Sequence, residues 1–248
     1  MIDNSIYDTL GEGWYTAFDN PIALLRQESK VKLPWVLERL EKHFGARKDI
    51  RLLDVGCGAG FLTNALSLRG YQVTGVDLSI DSLHVAKKYD FTGNATYVVG
   101  DAYQLPFPDA SFDSITCMDF LEHVNDPERV ISEISRVLKP NGLFFYHTFN
   151  RNLLAYVVII KLVEWFVSNT PKNMHVLSLF VKPSEVVRYC ERNELRNIEM
   201  TGIKPKFSTI KLKSLFTGVV PKDFSFELTP SLKLSFMGYA TKNETASC

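Results

Sequence analysis

Cysteine is scarce in this chain. There are four in 248 residues, Cys57, Cys117, Cys190 and Cys248, and none sits at metal-ligand or redox-pair spacing. That excludes a disulfide framework and a zinc module and points to a reducing, cytoplasmic compartment. Net charge is also lacking, with 28 Lys+Arg against 28 Asp+Glu. The chain therefore carries no overall electrostatic footprint for nucleic acid, and none is expected as a partner. No run reaches the roughly 20 apolar residues that span a bilayer. The opening MIDNSIYDTL has no basic stretch followed by an apolar one, so it does not read as a signal peptide. Internal repeats and low-complexity tracts are missing too. What is present is apolar mass, 46% hydrophobic against 23% charged residues, which suits one globular domain with elaborations.

The middle of the chain has a regular rhythm. Short apolar runs at 51–56, 71–77, 95–101, 112–119 and 142–149 read as strands. Segments 59–69, 79–88 and 127–138 read as helices between them, and Lys139-Pro140-Asn141-Gly142 reads as a stop and turn. Strands alternating with helices predict parallel βαβ units. Before them, 34–44 has helical spacing opened by Pro34, and the aromatic residues Trp14, Tyr15 and Phe18 are expected to lie over the core. After them, 152–168 and 182–193 read as helices and 195–203 and 232–241 as strands, while 204–230 has no clear assignment. The expected fold is α/β: a Rossmann-like, seven-stranded, mostly parallel sheet flanked by helices. Residues 1–248 form one domain, divided into a helical cap (1–44), a ligand-binding core (45–150), and 151–248, which supplies further helices and the last strands.

Three strand ends carry the strongest chemical signal. The first reads Leu53-Asp54-Val55-Gly56-Cys57-Gly58-Ala59-Gly60. Gly56, Gly58 and Gly60 remove side chains where backbone must approach a ligand, and Asp54 can face an ammonium. The second ends in Asp77-Leu78, where a carboxylate can accept from two ribose hydroxyls. The third ends in Gly100-Asp101-Ala102, where Asp101 can accept from an adenine amino group and Ala102 can offer its N–H. Open α/β sheets bind ligands at this edge. The plainer reading is a tight turn and two surface acids. A nicotinamide dinucleotide is the rival ligand, but it more often goes with GxGxxG.

These motifs, with the later LKPNG, resemble the class I methyltransferases that use S-adenosylmethionine (SAM). The resemblance implies their fold and their methyl donor. The segments FDSITCMDFLEHVNDPERVISEISRVLKPNGLFFYHTFNR, TPKNMH and FVKPSEV are similar to the ubiquinone-biosynthesis O-methyltransferases, over about residues 30 to 203. That likeness implies a polyprenylated catechol or phenol as acceptor. It places Gly56, Asp77 and Met118 on SAM-contacting positions, and Lys32 where the family carries an Arg that clamps the cofactor. Lysine keeps the charge but lacks the bidentate fork.

Asp119, Glu122 and His123 follow the fourth strand at i, i+3 and i+4, on one side of a helical turn. Two carboxylates and an imidazole suit a hard divalent cation. The related family is thought to hold Mg²⁺ or a similar ion there, with Glu in place of Asp119. Such an ion would lower the acceptor hydroxyl's pKa. The alternative is that the Glu-His pair merely bonds neighbouring backbone. Without a metal, His123 or His175 is the candidate general base, and His147 reads as packing or lining.

Segment 152–168 (NLLAYVVIIKLVEWFVS) holds only Lys161 and Glu164 as charges. It suits either an interfacial helix touching the inner membrane face, helped by the Lys-rich 204–213, or a helix buried under the C-terminal segment. Two further functions stay open: a class I methyltransferase with a different small-molecule acceptor, and a SAM-binding scaffold without turnover.

Overall fold

The computed structural model describes residues 6–244, so Cys248 lies outside the described residues. Three helices come first: α1 (Ile6–Thr9), α2 (Gly13–Thr16) and α3 (Ile22–Phe44). The alternation then runs β1 (Arg51–Val55), α4 (Phe61–Ser67), β2 (Gln72–Asp77), α5 (Ile80–Lys88), β3 (Thr96–Val99), β4 (Phe112–Met118), α6 (Pro127–Val137) and β5 (Leu138–Phe149). The rest comprises α7 (Leu153–Ala155), a π-helical stretch Tyr156–Lys161, α8 (Leu162–Phe166), α9 (Pro183–Arg192), β6 (Leu195–Pro205), α10 (Leu212–Thr217), β7 (Phe226–Thr229) and β8 (Ser235–Lys242).

These strands form a single sheet of order β3-β2-β1-β4-β5-β8-β6-β7. The pairs β3-β2, β2-β1, β1-β4 and β4-β5 are parallel, and those involving β8 or β7 are antiparallel. The sheet has eight strands rather than the expected seven. The extra one, β7, lies in the unassigned 204–230 region and pairs only with β6 at the edge. Four residues at a sheet edge, three half-buried and Leu228 exposed, carry too little alternation to be read as a strand.

Alternate residues of the central strands feed two cores, because successive side chains point to opposite faces. Leu53 and Val55 pack with Val130, Ile134 and Val186, whereas Leu52 joins Trp35, Val36, Leu40 and Leu62. Both faces are thus covered by helices, as a parallel sheet requires. The helix starts follow local chemistry. Ser79 accepts from Ser82 N at 3.2 Å to open α5, and Asp126 accepts from Arg129 N at 3.1 Å ahead of Pro127 to open α6.

Two boundaries differ from the sequence reading. Pro34 does not open a helix; it lies inside α3, which begins twelve residues earlier at Ile22. Buried residues on both sides of it, from Ile22 and Ala23 to Trp35, Val36 and Leu40, hold the helix together. The Pro34 ring is exposed, so the carbonyl it deprives of a donor can be hydrated. The predicted turn Lys139–Gly142 is a bulge within β5: the register jumps from Phe112↔Leu138 to Ser114↔Leu143, and Asn141 has φ 61°.

Candidate active site

The carboxyl ends of β1, β2, β3 and β4 open onto one cavity of about 680 Å³, a size typical of small-molecule sites. Its wall includes Asp54, Gly56, Gly58, Asp77, Leu78, Asp101, Ala102 and Met118 from those strand ends. With Lys32 from α3, nine of the expected cofactor residues therefore share one cavity. Gly60 does not line it. Its place in the motif serves packing, since a Cβ there would lie 2.9 Å from that of Ala86. Gly56, at φ 69°, is different: a Cβ would lie 2.2 Å from the Phe120 ring on the cavity wall.

The two acids of the first strand ends are held in place. Asp54 is 3% exposed and accepts from Thr63 Oγ1 at 2.6 Å and Thr116 Oγ1 at 2.7 Å. Burial pushes its carboxyl up to about 6, against those two hydroxyls. Asp77 accepts from the N–H groups of Gly58 at 2.8 Å and Ser79 at 2.9 Å. Burial raises it as well, and the backbone donors oppose the rise. Each Asp77 oxygen keeps lone-pair capacity for a ligand donor. Asp101 accepts from Tyr103 N at 2.8 Å.

The N-terminal segment closes the cavity from above. Trp14 packs its ring against Gly58 and stacks on Tyr7, with centroids 5.6 Å apart. Tyr15 Oη donates to Ala59 O at 2.9 Å, and Ser82 Oγ donates to Tyr7 O at 3.0 Å. Tyr7 Oη lies 3.5 Å from His123 Nε2. The sequence placed aromatics over the core, but Tyr7 was not among the expected site residues.

Beyond Met118 the backbone turns sharply. Asp119 has φ 55°, a left-handed conformation in which Asp is enriched among non-glycine residues. Its carboxylate meets Lys32, whose Nζ donates to both Asp119 oxygens at 2.6 Å and to Glu28 Oε2 at 3.0 Å. An ammonium has three donors, and all three are used. Lys32 reaches the cavity wall, where the resemblance puts a cofactor clamp, and its hydrogen bonds go to two carboxylates.

His147 completes the cluster, its Nδ1 2.5 Å from Asp119 Oδ1 and its Nε2 3.4 Å from Glu28 Oε1. Burial and Lys32 push the imidazole down, but the Asp119 and Glu28 carboxylates outweigh them and raise it to about 9. Burial opposes ionisation of both acids. Lys32 and His147 prevail, holding Glu28 low and Asp119 well below the usual carboxylate range. Two positive and two negative groups thus balance. His147 was read as packing or lining. Glu28 was missed, although its i, i+4 spacing to Lys32 was a readable signal.

The expected metal triad Asp119–Glu122–His123 does not assemble. Among the described residues, the group whose ligand atoms lie within 4.8 Å of one another is Glu28, Asp119 and His147. Asp119 is committed to Lys32. Glu122 is fully buried, accepts from Thr148 Oγ1 at 2.8 Å, and does not line the cavity. The 3₁₀ turn Leu121–His123 replaces the α-helical turn that would have put the three on one side. Burial and the nearby Asp119 raise Glu122 to about 7. The three ligand groups are thus not gathered around one point in this structure, while Glu122 Oε1 and His123 Nδ1 are buried without a hydrogen-bond partner.

The two candidate bases separate. His123 lines the cavity, its Nδ1 has no hydrogen-bond partner, and burial lowers its pKa to about 4. His175 does not line the cavity. Its ring lies 5.3 Å from that of His123 and 5.1 Å from that of Phe149, and burial lowers it to about 3. It braces His123 from behind.

A parallel sheet with acids on three successive strand ends around one cavity defines a SAM-dependent class I methyltransferase. A family model described as a methyltransferase domain matches residues 53–146. The ubiquinone biosynthesis O-methyltransferase of Actinobacillus pleuropneumoniae is 34% identical over 73% of this chain and 78% of its own length. That of Coxiella burnetii is 36% identical over 79% and 82%. The chain belongs to this family. Solved structures agree on the fold. A SAM-dependent methyltransferase of Thermotoga maritima, described as a possible histamine N-methyltransferase, covers 96% of this chain and 99% of its own at 19% identity, with a TM-score of 0.63. The magnesium protoporphyrin IX methyltransferase of Synechocystis, solved with bound SAH, covers 86% and 82% at 17% identity, with a TM-score of 0.59.

The charge cluster makes stability depend on pH. His147 has its folded pKa raised, so its contribution is fully present below its unfolded value near 6.5 and is lost as pH rises through about 9. The wild type is expected to lose roughly a few kcal/mol over this interval. His147→Asn should be less stable at neutral pH but nearly flat across the same range. Urea unfolding curves at several pH values check this; wild-type stability that rises toward pH 9 would contradict it.

Proposed function

We propose that this methyltransferase O-methylates a phenolic hydroxyl of a prenylated quinone precursor, held against His123. The observation that carries this reading is a neutral imidazole on the cavity wall with a phenol already beside it: Tyr7 Oη sits 3.5 Å from Nε2. At neutral pH a histidine lowered to about 4 is unprotonated but a weak base, so it takes the proton only as the hydroxyl oxygen forms its bond to the methyl carbon. The names of the related enzymes support a quinone precursor as acceptor.

SAM supplies the activated methyl on its sulfonium. The chain's residues orient it and exclude water. In this reading Asp77 accepts from the ribose hydroxyls, Asp101 and the Ala102 N–H flank the adenine, and Asp54 faces the amino-acid end. A cation beside Asp54 would draw its raised carboxyl back toward ionisation. The hydroxyl oxygen attacks the methyl carbon, the carbon–sulfur electrons pass to sulfur, and the hydroxyl proton passes to His123. No step needs a divalent cation.

Asp77→Ala should weaken SAM binding by roughly tenfold to a hundredfold, the worth of two hydrogen bonds. Calorimetry tests this, and unchanged affinity would remove Asp77 from the site. His123→Ala should lower kcat on a prenylated catechol by about a hundredfold with SAM affinity retained. Full turnover in that variant would sink the base assignment.

The acceptor's prenyl tail suggests where the enzyme works. Among the described residues no helix is long and apolar enough to cross a membrane. Yet Leu153 and Trp165 are 74% and 66% exposed, with Leu154, Val157, Leu162 and Phe166 also exposed. Only Ala155 and Ile160 of this stretch are buried. This exposure favours peripheral contact with the inner membrane face over burial under the C-terminal segment. Trp165→Glu should abolish co-flotation with anionic vesicles while leaving the melting temperature unchanged. Equal flotation of wild type and variant would reject the contact.

A further inference from the structure

Behind the cavity wall, with Asp119 alone of the three lining it, lies the cluster of Glu28, Asp119 and His147. Their ligand atoms lie within 4.8 Å of one another, and two carboxylates with an imidazole are a common donor set for first-row divalent ions. His147 is fully buried, and neither ring nitrogen makes a hydrogen bond of good geometry. The imidazole is held by its closeness to the carboxylates rather than by a directional bond. The donor set is closed over an ammonium. Lys32 Nζ, 2% exposed at its side chain, lies 2.6 Å from both Asp119 oxygens and 3.0 Å from Glu28 Oε2.

An ammonium there and a divalent ion cannot coexist. The ion would need the Asp119 and Glu28 oxygens that Lys32 now holds. It would also sit within a few ångströms of a like charge in low-dielectric surroundings, where repulsion is strong. Geometry points the same way, since the Lys32 ammonium already sits between the two carboxylates. At Asp119, φ 55°, the chain turns and the carboxylate meets Lys32.

We infer that Lys32 is a built-in replacement for a divalent cation: the wild-type enzyme works without a metal, and removing the ammonium turns Glu28, Asp119 and His147 into a divalent-cation site. Lys32 and Asp119 both line the cavity, so an ion has a path to that site. Lys32 is here a positioning residue. It holds Asp119 and the wall beside the acceptor, and touches neither reacting atom.

The test is a Mn²⁺ titration of the full-length protein after chelator treatment. Wild type should show no saturable heat and no shift in melting temperature. Lys32→Met and Lys32→Gln should each bind one Mn²⁺, with a melting temperature that climbs with Mn²⁺ concentration. Adding Asp119→Asn to either should abolish both signals. A variant that folds only when Mn²⁺ is supplied supports the inference equally. Failure of both Lys32 variants to take up Mn²⁺, folded or not, overturns it. So does one Mn²⁺ bound by wild type and lost in Asp119→Asn. Methyl transfer by wild type should be unchanged by chelation, and a rate that falls and is restored by Mn²⁺ also overturns it. The Mn²⁺ titration needs no acceptor, so failure of the acceptor assignment leaves it decisive.

Discussion

Lys32 ties a helix outside the sheet to the ends of two central strands. Its ammonium joins Glu28 on α3 to Asp119 at the end of β4, and His147 on β5 closes the cluster. Removing one partner of a buried pair strands the others, at a cost of roughly 3–5 kcal/mol. That penalty gives the cluster positional authority: α3, β4 and β5 cannot shift relative to one another without exposing an unpaired charge. The wall of the cavity opposite the glycine turn is set by this constraint.

The neighbouring residues fall into place around it. Burial, and then the ionised Asp119, drive the next acid along, Glu122, toward its neutral form, and it accepts from Thr148 behind the wall. His123 is left facing the cavity, neutral, with His175 packed behind it. One charged residue on each strand end is thus given a separate task. Asp54 and Asp77 line the cavity, held by hydroxyl and backbone donors, and Asp119 serves the frame. The N-terminal segment then covers the whole, with Trp14 over the glycine turn and Tyr7 over His123.

The elements with strong local signals were legible. The strands β1, β2 and β4 and helices α5 and α6 are short apolar or amphipathic runs bounded by Gly, Ser, Asp and Pro, and their limits agree with the sequence reading to within a few residues. Where a local signal was overridden, a distant contact won. Pro34 is a helix opener by propensity, yet buried residues on both sides carry α3 through it. The edge strand β7 depends on pairing with β6 and has no pattern of its own. Gly60 belongs to the motif by spacing but serves the contact with α5.

The amino-acid sequence determined the fold class, the cofactor cavity and its strand-end acids, because each of those is a short-range feature: a turn, a cap or the last residue of a strand. Only the tertiary structure decided how the charges outside those motifs are spent. Lys32 and Asp119 stand 87 positions apart; the family resemblance offered Lys32 a cofactor, and local spacing offered Asp119 a metal. Folding brings them within 2.6 Å. Buried opposite charges at that distance satisfy each other first, because in a low-dielectric interior neither can be left unpaired.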